Sequence, residues 1–324
     1  MRGATVTAIA LALAIPYYAS AQTLPAGVTE RAITVPGPVP LPGTLTLPAG
    51  AGPFALVVLV HGSGPEDQDQ TIGPNKMFRD VAWGLAVQGV AVLRYDKRTK
   101  VNGMWFLGKP FTVKDETMDD ALSALALARQ QPEINRARTF LLGHSEGGIL
   151  APRIAQQDPL LAGIIIAAGA TRMRFGDQME RQYAYIQSVS GADSEATRKA
   201  IAPVLPLIAR IRALTPVDSA NTTLIMGAPA KYFLDLDEYD AAATMREFPK
   251  PSLVLQGSRD YQITLEQLDD WLKAVGPRAD MTVKRYPGLW HLFMPGSGTP
   301  ADYGVPGHVE AQVITDIAGW IKAH

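Results

Sequence analysis

The clearest pattern along the chain is a series of short apolar runs without alternation, each followed by a stretch of helical spacing. Phe54–Val60 is apolar at every position, as a strand buried on both faces requires. Met77–Gln88 then places Phe78, Val81, Ala82 and Leu85 on one helical face, with Gly89 as its stop. Val90–Leu93 is the next buried strand and runs into Tyr95-Asp96. Residues 99–115 read as a long connection carrying Met104, Trp105 and Phe106. Val113–Gln130 reads as a helix, with Met118, Leu122, Leu125 and Ala128 inward and Asp115, Glu116, Asp119 and Asp120 near its positive start. Strand Thr139–Leu142, helix Ile149–Gln157 and strand Gly163–Gly169 continue the rhythm. Upstream, Ala32–Val35 and Leu45–Leu47 read as two edge strands separated by prolines.

The alternation stops between Thr171 and Lys250. That region is amphipathic with helical spacing, over Met173–Gln187, Glu195–Leu214 and Lys231–Arg246, and Pro203 and Pro206 should break or bend the middle segment. Strand Pro251–Gly257, helix Leu265–Val275, strand Met281–Tyr286 and a last helix His308–Lys322 resume the pattern. The order implies an α/β fold: a doubly wound, mostly parallel sheet with helices on both faces and a helical lid insertion. Residues 22–170 and 251–324 form the core on this reading, and 171–250 the insertion. In such sheets chemistry gathers at the carboxyl ends of the strands. His61, Asp96, Ser145, Gly169 and Asp260 all lie just past a strand end, so they converge on one edge.

Composition narrows the field. The chain has 324 residues, 47% of them hydrophobic, enough for one large domain with an insertion. A net charge of −1 with scattered basic residues gives no electrostatic case for nucleic acid. The N-terminus reads as a cleavable signal peptide over residues 1–21: Arg2, an apolar run from Ala4 to Ala14, then Ala19-Ser20-Ala21. The run is too short to span a bilayer. The expectation is a periplasmic or secreted protein cut after Ala21, with no stable membrane insertion once the signal is removed. There is no cysteine, hence no disulfide and no thiol chemistry. No metal-ligand spacing and no dinucleotide fingerprint appear, so neither a metal nor a cofactor is expected.

The candidate chemistry centres on Gly143-His144-Ser145-Glu146-Gly147-Gly148, a strand turning sharply into a helix with a serine at the apex. Such a turn is strained, so the positions two before and two after the serine must be almost free of side chain. A serine hydroxyl needs a base. Of the five histidines, His291 lies in the loop Gly288–Phe293 after the last strand, placed to reach over the sheet edge. His144 neighbours the serine but points away from it on a tight turn, and His61 reads as a loop anchor. The orienting acid should follow a strand between Ser145 and His291, which favours Asp260 over Asp235, Asp237 and Asp240 of the insertion. The backbone N–H groups of Ser63, in His61-Gly62-Ser63-Gly64, and of Glu146 are the candidate oxyanion donors. Trp105, Phe106, Trp290 and Phe293, on loops at the same edge, are candidate lining residues of a substrate pocket.

The order Ser, Asp, His, the elbow and the His61-Gly62 loop resemble the α/β-hydrolase superfamily, over residues from about 30 to 322. Gly143–Gly148 followed by Ala151-Pro152, the loop from His61 to Asp67, and Tyr95-Asp96-Lys97-Arg98 are similar to bacterial serine esterases of the serine aminopeptidase-like and dienelactone hydrolase-like branches. The chain departs from dienelactone hydrolases in having no cysteine nucleophile. The resemblance implies a carboxylesterase or a related acyl hydrolase; together with the N-terminal signal, the leading expectation is an exported serine hydrolase that cleaves small-molecule carboxylic esters through an acyl-Ser145 intermediate. A peptidase, amidase or thioesterase of the same fold remains open, with Glu146 as a site for a substrate amine. So does a non-catalytic binding protein on a hydrolase fold.

Overall fold

The structure, a computed structural model, describes residues 23–189 and 195–324; the expected signal peptide and its cleavage site lie outside the described residues. A hairpin of β1 (Thr29–Val35) and β2 (Leu41–Leu47) is followed by β3 (Phe54–Val60). A short ribbon of β4 (Thr71–Ile72) and β5 (Asn75–Lys76) leads into α1 (Met77–Val87) and β6 (Ala91–Tyr95). Next come α2 (Arg98–Asn102), α3 (Asp119–Ala128), β7 (Ile134–His144), α4 (Glu146–Gln157) and β8 (Gly163–Ala167). Helices α5 (Phe175–Val189), α6 (Glu195–Ile201), α7 (Leu205–Arg212), α8 (Ala230–Glu238) and α9 (Ala241–Glu247) precede β9 (Ser252–Gly257). The chain closes with α10 (Leu265–Val275), β10 (Met281–Tyr286) and α11 (Ala311–Ala323).

The main sheet has the order β1-β2-β6-β3-β7-β8-β9-β10. Pairing is parallel from β6 to β10, while β2 lies antiparallel on β6 and β1 antiparallel on β2. The unbroken apolar run of β3 now has its explanation. Leu56, Val58 and Val60 point into a core shared with α3, α4 and α10. Val57 and Leu59 point into the opposite core, shared with α1 and α11. Strand side chains alternate between faces, and because both faces are covered, both sets must be apolar.

Several segments differ from the sequence reading for local reasons. The stretch 99–115 is not plain loop: it holds most of α2 and a 3-10 turn over Gly103–Phe106. The helix expected from Val113 opens as a π-turn, Lys114–Met118, before α3. Asp115 pins that start by accepting from the Thr112 N–H at 2.8 Å. The helix expected over Lys231–Arg246 is two, because the Asp240 carboxylate caps α9 by accepting from the Ala243 N–H at 2.9 Å. Pro203 falls in the break between α6 and α7, and Pro206 in the first turn of α7, where a missing N–H does no harm. The last helix begins at Ala311, not His308; the Asp80 carboxylate holds His308 and the Val309 N–H outside it.

Candidate active site

β7 ends at His144 and α4 begins at Glu146, so Ser145 alone makes the turn, at φ 55° and ψ −117°. The flanking glycines follow from space. A Cβ on Gly143 would lie 2.0 Å from the Gly147 carbonyl oxygen, and one on Gly147 would lie 2.4 Å from that of Val60. The turn is held from β8 by the Ser145 N–H donating to the Ala167 carbonyl at 2.9 Å. Glu146 is the first residue of α4, so its N–H is one of those a helix leaves without an internal partner, at the positive end of the helix dipole. The His61–Gly64 loop abuts the serine: a Cβ on Gly62 would sit 3.2 Å from the Ser145 Cβ. Ser63 is exposed beside it.

Asp260 and His291 meet from two different strand ends. The His291 Nδ1–H donates to Asp260 Oδ2 at 2.7 Å, and both residues are buried. The other carboxylate oxygen accepts the N–H groups of Gln262 at 2.8 Å and Ile263 at 3.0 Å, and the Gln256 amide donates to Oδ2 at 3.2 Å. The Asp260 and His291 loops are laced together by the Arg259 N–H donating to the Leu289 carbonyl at 2.9 Å. Gly257 allows this approach, since a Cβ there would lie 2.4 Å from the same carbonyl. The Ser145 side chain is half-buried, and its hydroxyl contact with His291 is not formed among the described residues. Such contacts commonly tighten only when substrate is bound.

The other two histidines at this edge are scaffold. The His61 Nε2–H donates to the Asp67 carbonyl at 2.9 Å, and its ring packs on Phe78 and Tyr95. Burial, reinforced by the Lys97 charge, pushes His61 down to about 3. His144 accepts from the Gln70 amide at Nδ1, 2.6 Å away, and donates from Nε2 to the His291 carbonyl oxygen at 3.0 Å. Burial first, and then its neighbour His291, hold His144 well below the usual histidine range. Both stay neutral and buried, His144 with both ring nitrogens bonded and His61 with Nε2 bonded and Nδ1 shut in without a partner, so both act as scaffold.

The structure corrects two expectations. Trp290 and Phe293 are almost fully buried, and Trp290 lines a small cavity with Met294, Gly296 and Asp302. Trp290 packs edge-on against Tyr303 with ring centroids 4.6 Å apart, and Phe293 lies against Tyr286 and His144; both are buried in the core on the α1/α11 side. Phe106 is likewise buried, 4.1 Å from Phe111, whereas Trp105 is half-buried under the Lys109 ammonium. Position on a loop at the right edge does not reveal which way a ring turns. Second, the Glu146 carboxylate is not offered to a substrate amine. It is fully buried, accepts from the Tyr232 hydroxyl at 2.8 Å and lies 3.9 Å from the Lys97 ammonium. Gln70, Gln256, Lys97 and Glu116 are the contributors that sequence reading missed. The Tyr95-Asp96-Lys97-Arg98 stretch was the one available signal among them.

Known proteins resemble this chain at two levels. The family described as serine aminopeptidase, S33, matches residues 51–295. Esterase EstD of Thermotoga maritima is 39% identical over 300 residues, spanning 92% of this chain and 68% of its own. Among solved structures, an esterase of Pyrococcus furiosus superposes with a TM-score of 0.58 at 14% identity, over 95% of this chain and 96% of its own. Proline iminopeptidase of Mycobacterium smegmatis superposes with a TM-score of 0.57 at 18% identity, over 91% and 98%. At those identities the two superpositions speak for the fold alone.

Proposed function

The chain belongs to the serine aminopeptidase S33 family of α/β-hydrolases, and on that premise we propose that it hydrolyses small-molecule carboxylic esters through an acyl-Ser145 intermediate. It is an ester-cleaving hydrolase of esterase type. In the proposed cycle His291 takes the Ser145 proton at Nε2 as Oγ attacks the ester carbonyl. Asp260 holds the opposite ring nitrogen, fixing the tautomer and stabilising the imidazolium that forms. The N–H groups of Ser63 and Glu146 receive the oxyanion, where loss of a single donor typically costs about 3 kcal/mol of barrier. His291 then protonates the departing alcohol, and water, deprotonated by the same ring, releases the acid.

The observation that carries this reading is the His291–Asp260 hydrogen bond of 2.7 Å at the edge that also presents the strained Ser145. An ester substrate is favoured over a peptide by the burial of Glu146, whose carboxylate is taken up by Tyr232 and Lys97. The helical segment 171–250 serves, in this proposal, as the lid over the acyl site. Ser145→Ala should abolish hydrolysis of short p-nitrophenyl esters and labelling by a fluorophosphonate; undiminished turnover in that variant sinks the assignment. We further propose export to the periplasm or the exterior, with cleavage after Ala21. N-terminal sequencing of the recovered protein should begin at Gln22, and full-length cytoplasmic protein would overturn this.

A further inference from the structure

Lys97 is buried although it carries an ammonium, and nothing in the proposed cycle uses it. Its ammonium donates to the Gly62 carbonyl oxygen at 2.9 Å, lies 3.0 Å from Glu116 Oε1 and 3.9 Å from Glu146 Oε1. Its own backbone N–H donates to the Glu66 carbonyl at 3.0 Å. One residue thus grips the loop after β3 at two points, Gly62 and Glu66. The cluster is closed by Tyr232 of α8, whose hydroxyl donates to Glu146, and by Thr99, whose hydroxyl donates to Glu116 at 2.7 Å.

The consequence lies in the peptide unit. In a trans peptide the C=O and the N–H of the next residue point in opposite directions. Fixing the Gly62 carbonyl on Lys97 therefore fixes the Ser63 N–H on the other side of that unit, in a loop whose Gly62 touches Ser145. We propose that Lys97 is a positioning residue of the oxyanion hole: it orients the Ser63 N–H through the Gly62 carbonyl, with Glu116 and Glu146 holding its ammonium in place. Glycine at position 62 has no side chain to restrain this peptide, so the loop needs an outside clamp. The electrostatics agree with the geometry. The paired carboxylates hold the Lys97 ammonium above its usual range against the opposing effect of burial. Burial pushes the Glu146 carboxyl up to about 7, against the pull of Lys97.

This inference rests on the reading of Ser145 as nucleophile and Ser63 as donor, and the test separates the two. Lys97→Met keeps the length of the chain and removes the donor. With active sites counted by end-point fluorophosphonate labelling, its kcat per labelled site for p-nitrophenyl butyrate should fall by about thirtyfold or more, with KM within about threefold. A role confined to stability would lower the number of labelled sites and leave kcat per site alone. A folded Lys97→Met with kcat per site within about threefold of the parent overturns the proposal, while an inactive Ser145→Ala leaves the nucleophile reading intact. Should Ser145→Ala retain full turnover, both readings fall. If Lys97→Met does not fold, Glu116→Gln makes the same test by removing the nearest counter-charge. A fall in kcat per site of about fivefold at constant KM supports the clamp, and an unchanged kcat overturns it.

Discussion

The His144 imidazole donates from Nε2 to the carbonyl oxygen of His291, 3.0 Å away, while its Nδ1 accepts from Gln70. The residue beside the candidate nucleophile thus holds the backbone of the candidate base. Its neutral form is required for both bonds, which accords with the buried ring being held well below the usual histidine range. His144→Leu should leave the Gln70 amide and the His291 carbonyl unpaired in a buried site. The expected result is a loss of about 2–4 kcal/mol of stability, measured by urea unfolding, and a lower kcat from a looser His291 loop.

Asp260→Asn tests the orienting role with little change of shape. The Asn carbonyl can still accept the Gln262 and Ile263 N–H groups, but an amide would then face the His291 Nδ1–H. The ring should turn to the wrong tautomer, and kcat should fall by about 10⁴ with the thermal midpoint nearly kept. A fall of less than tenfold would move the role to another carboxylate.

The elbow predicts a contrast between two glycines. Gly143→Ala puts a methyl about 2.0 Å from the Gly147 carbonyl oxygen, where backbone must move, so soluble, folded protein should be lost. Gly103→Ala meets nothing within 4 Å and should stay within about 0.5 kcal/mol of the parent. Expression yield and unfolding midpoint of the pair decide the point.

His61 gives a pH dependence whose sign is fixed. Burial lowers it from 6.5 to about 3, so the folded protein keeps it neutral while the unfolded chain takes up a proton below 6.5. Between those values the unfolded state binds more protons, and stability falls as pH falls, by up to about 1.4 kcal/mol per pH unit from this group. His61→Gln keeps an amide donor for the Asp67 carbonyl but cannot titrate. The stability advantage of the parent over this variant should therefore shrink from pH 6.5 downward in urea titrations, and parallel curves would count against the assignment.

Much of this architecture is local and therefore legible. The bounds expected for β3, α10 and β10 coincide with those observed, because each is set by a run of side chains whose spacing repeats the geometry of its own backbone. The glycines around Ser145 were legible for the same reason: a tight turn excludes side chains within a few residues of itself. What only the tertiary structure decided is contact between distant segments. Lys97, Glu116, Glu146 and Tyr232 come from four separate stretches, and no spacing in the sequence relates them. The same holds for His144 reaching the His291 backbone, and for Trp290 and Phe293 turning inward. Periodicity reports which face of an element is apolar. It cannot report which partner that face meets, because the partner is set by the packing of the whole sheet and its helices.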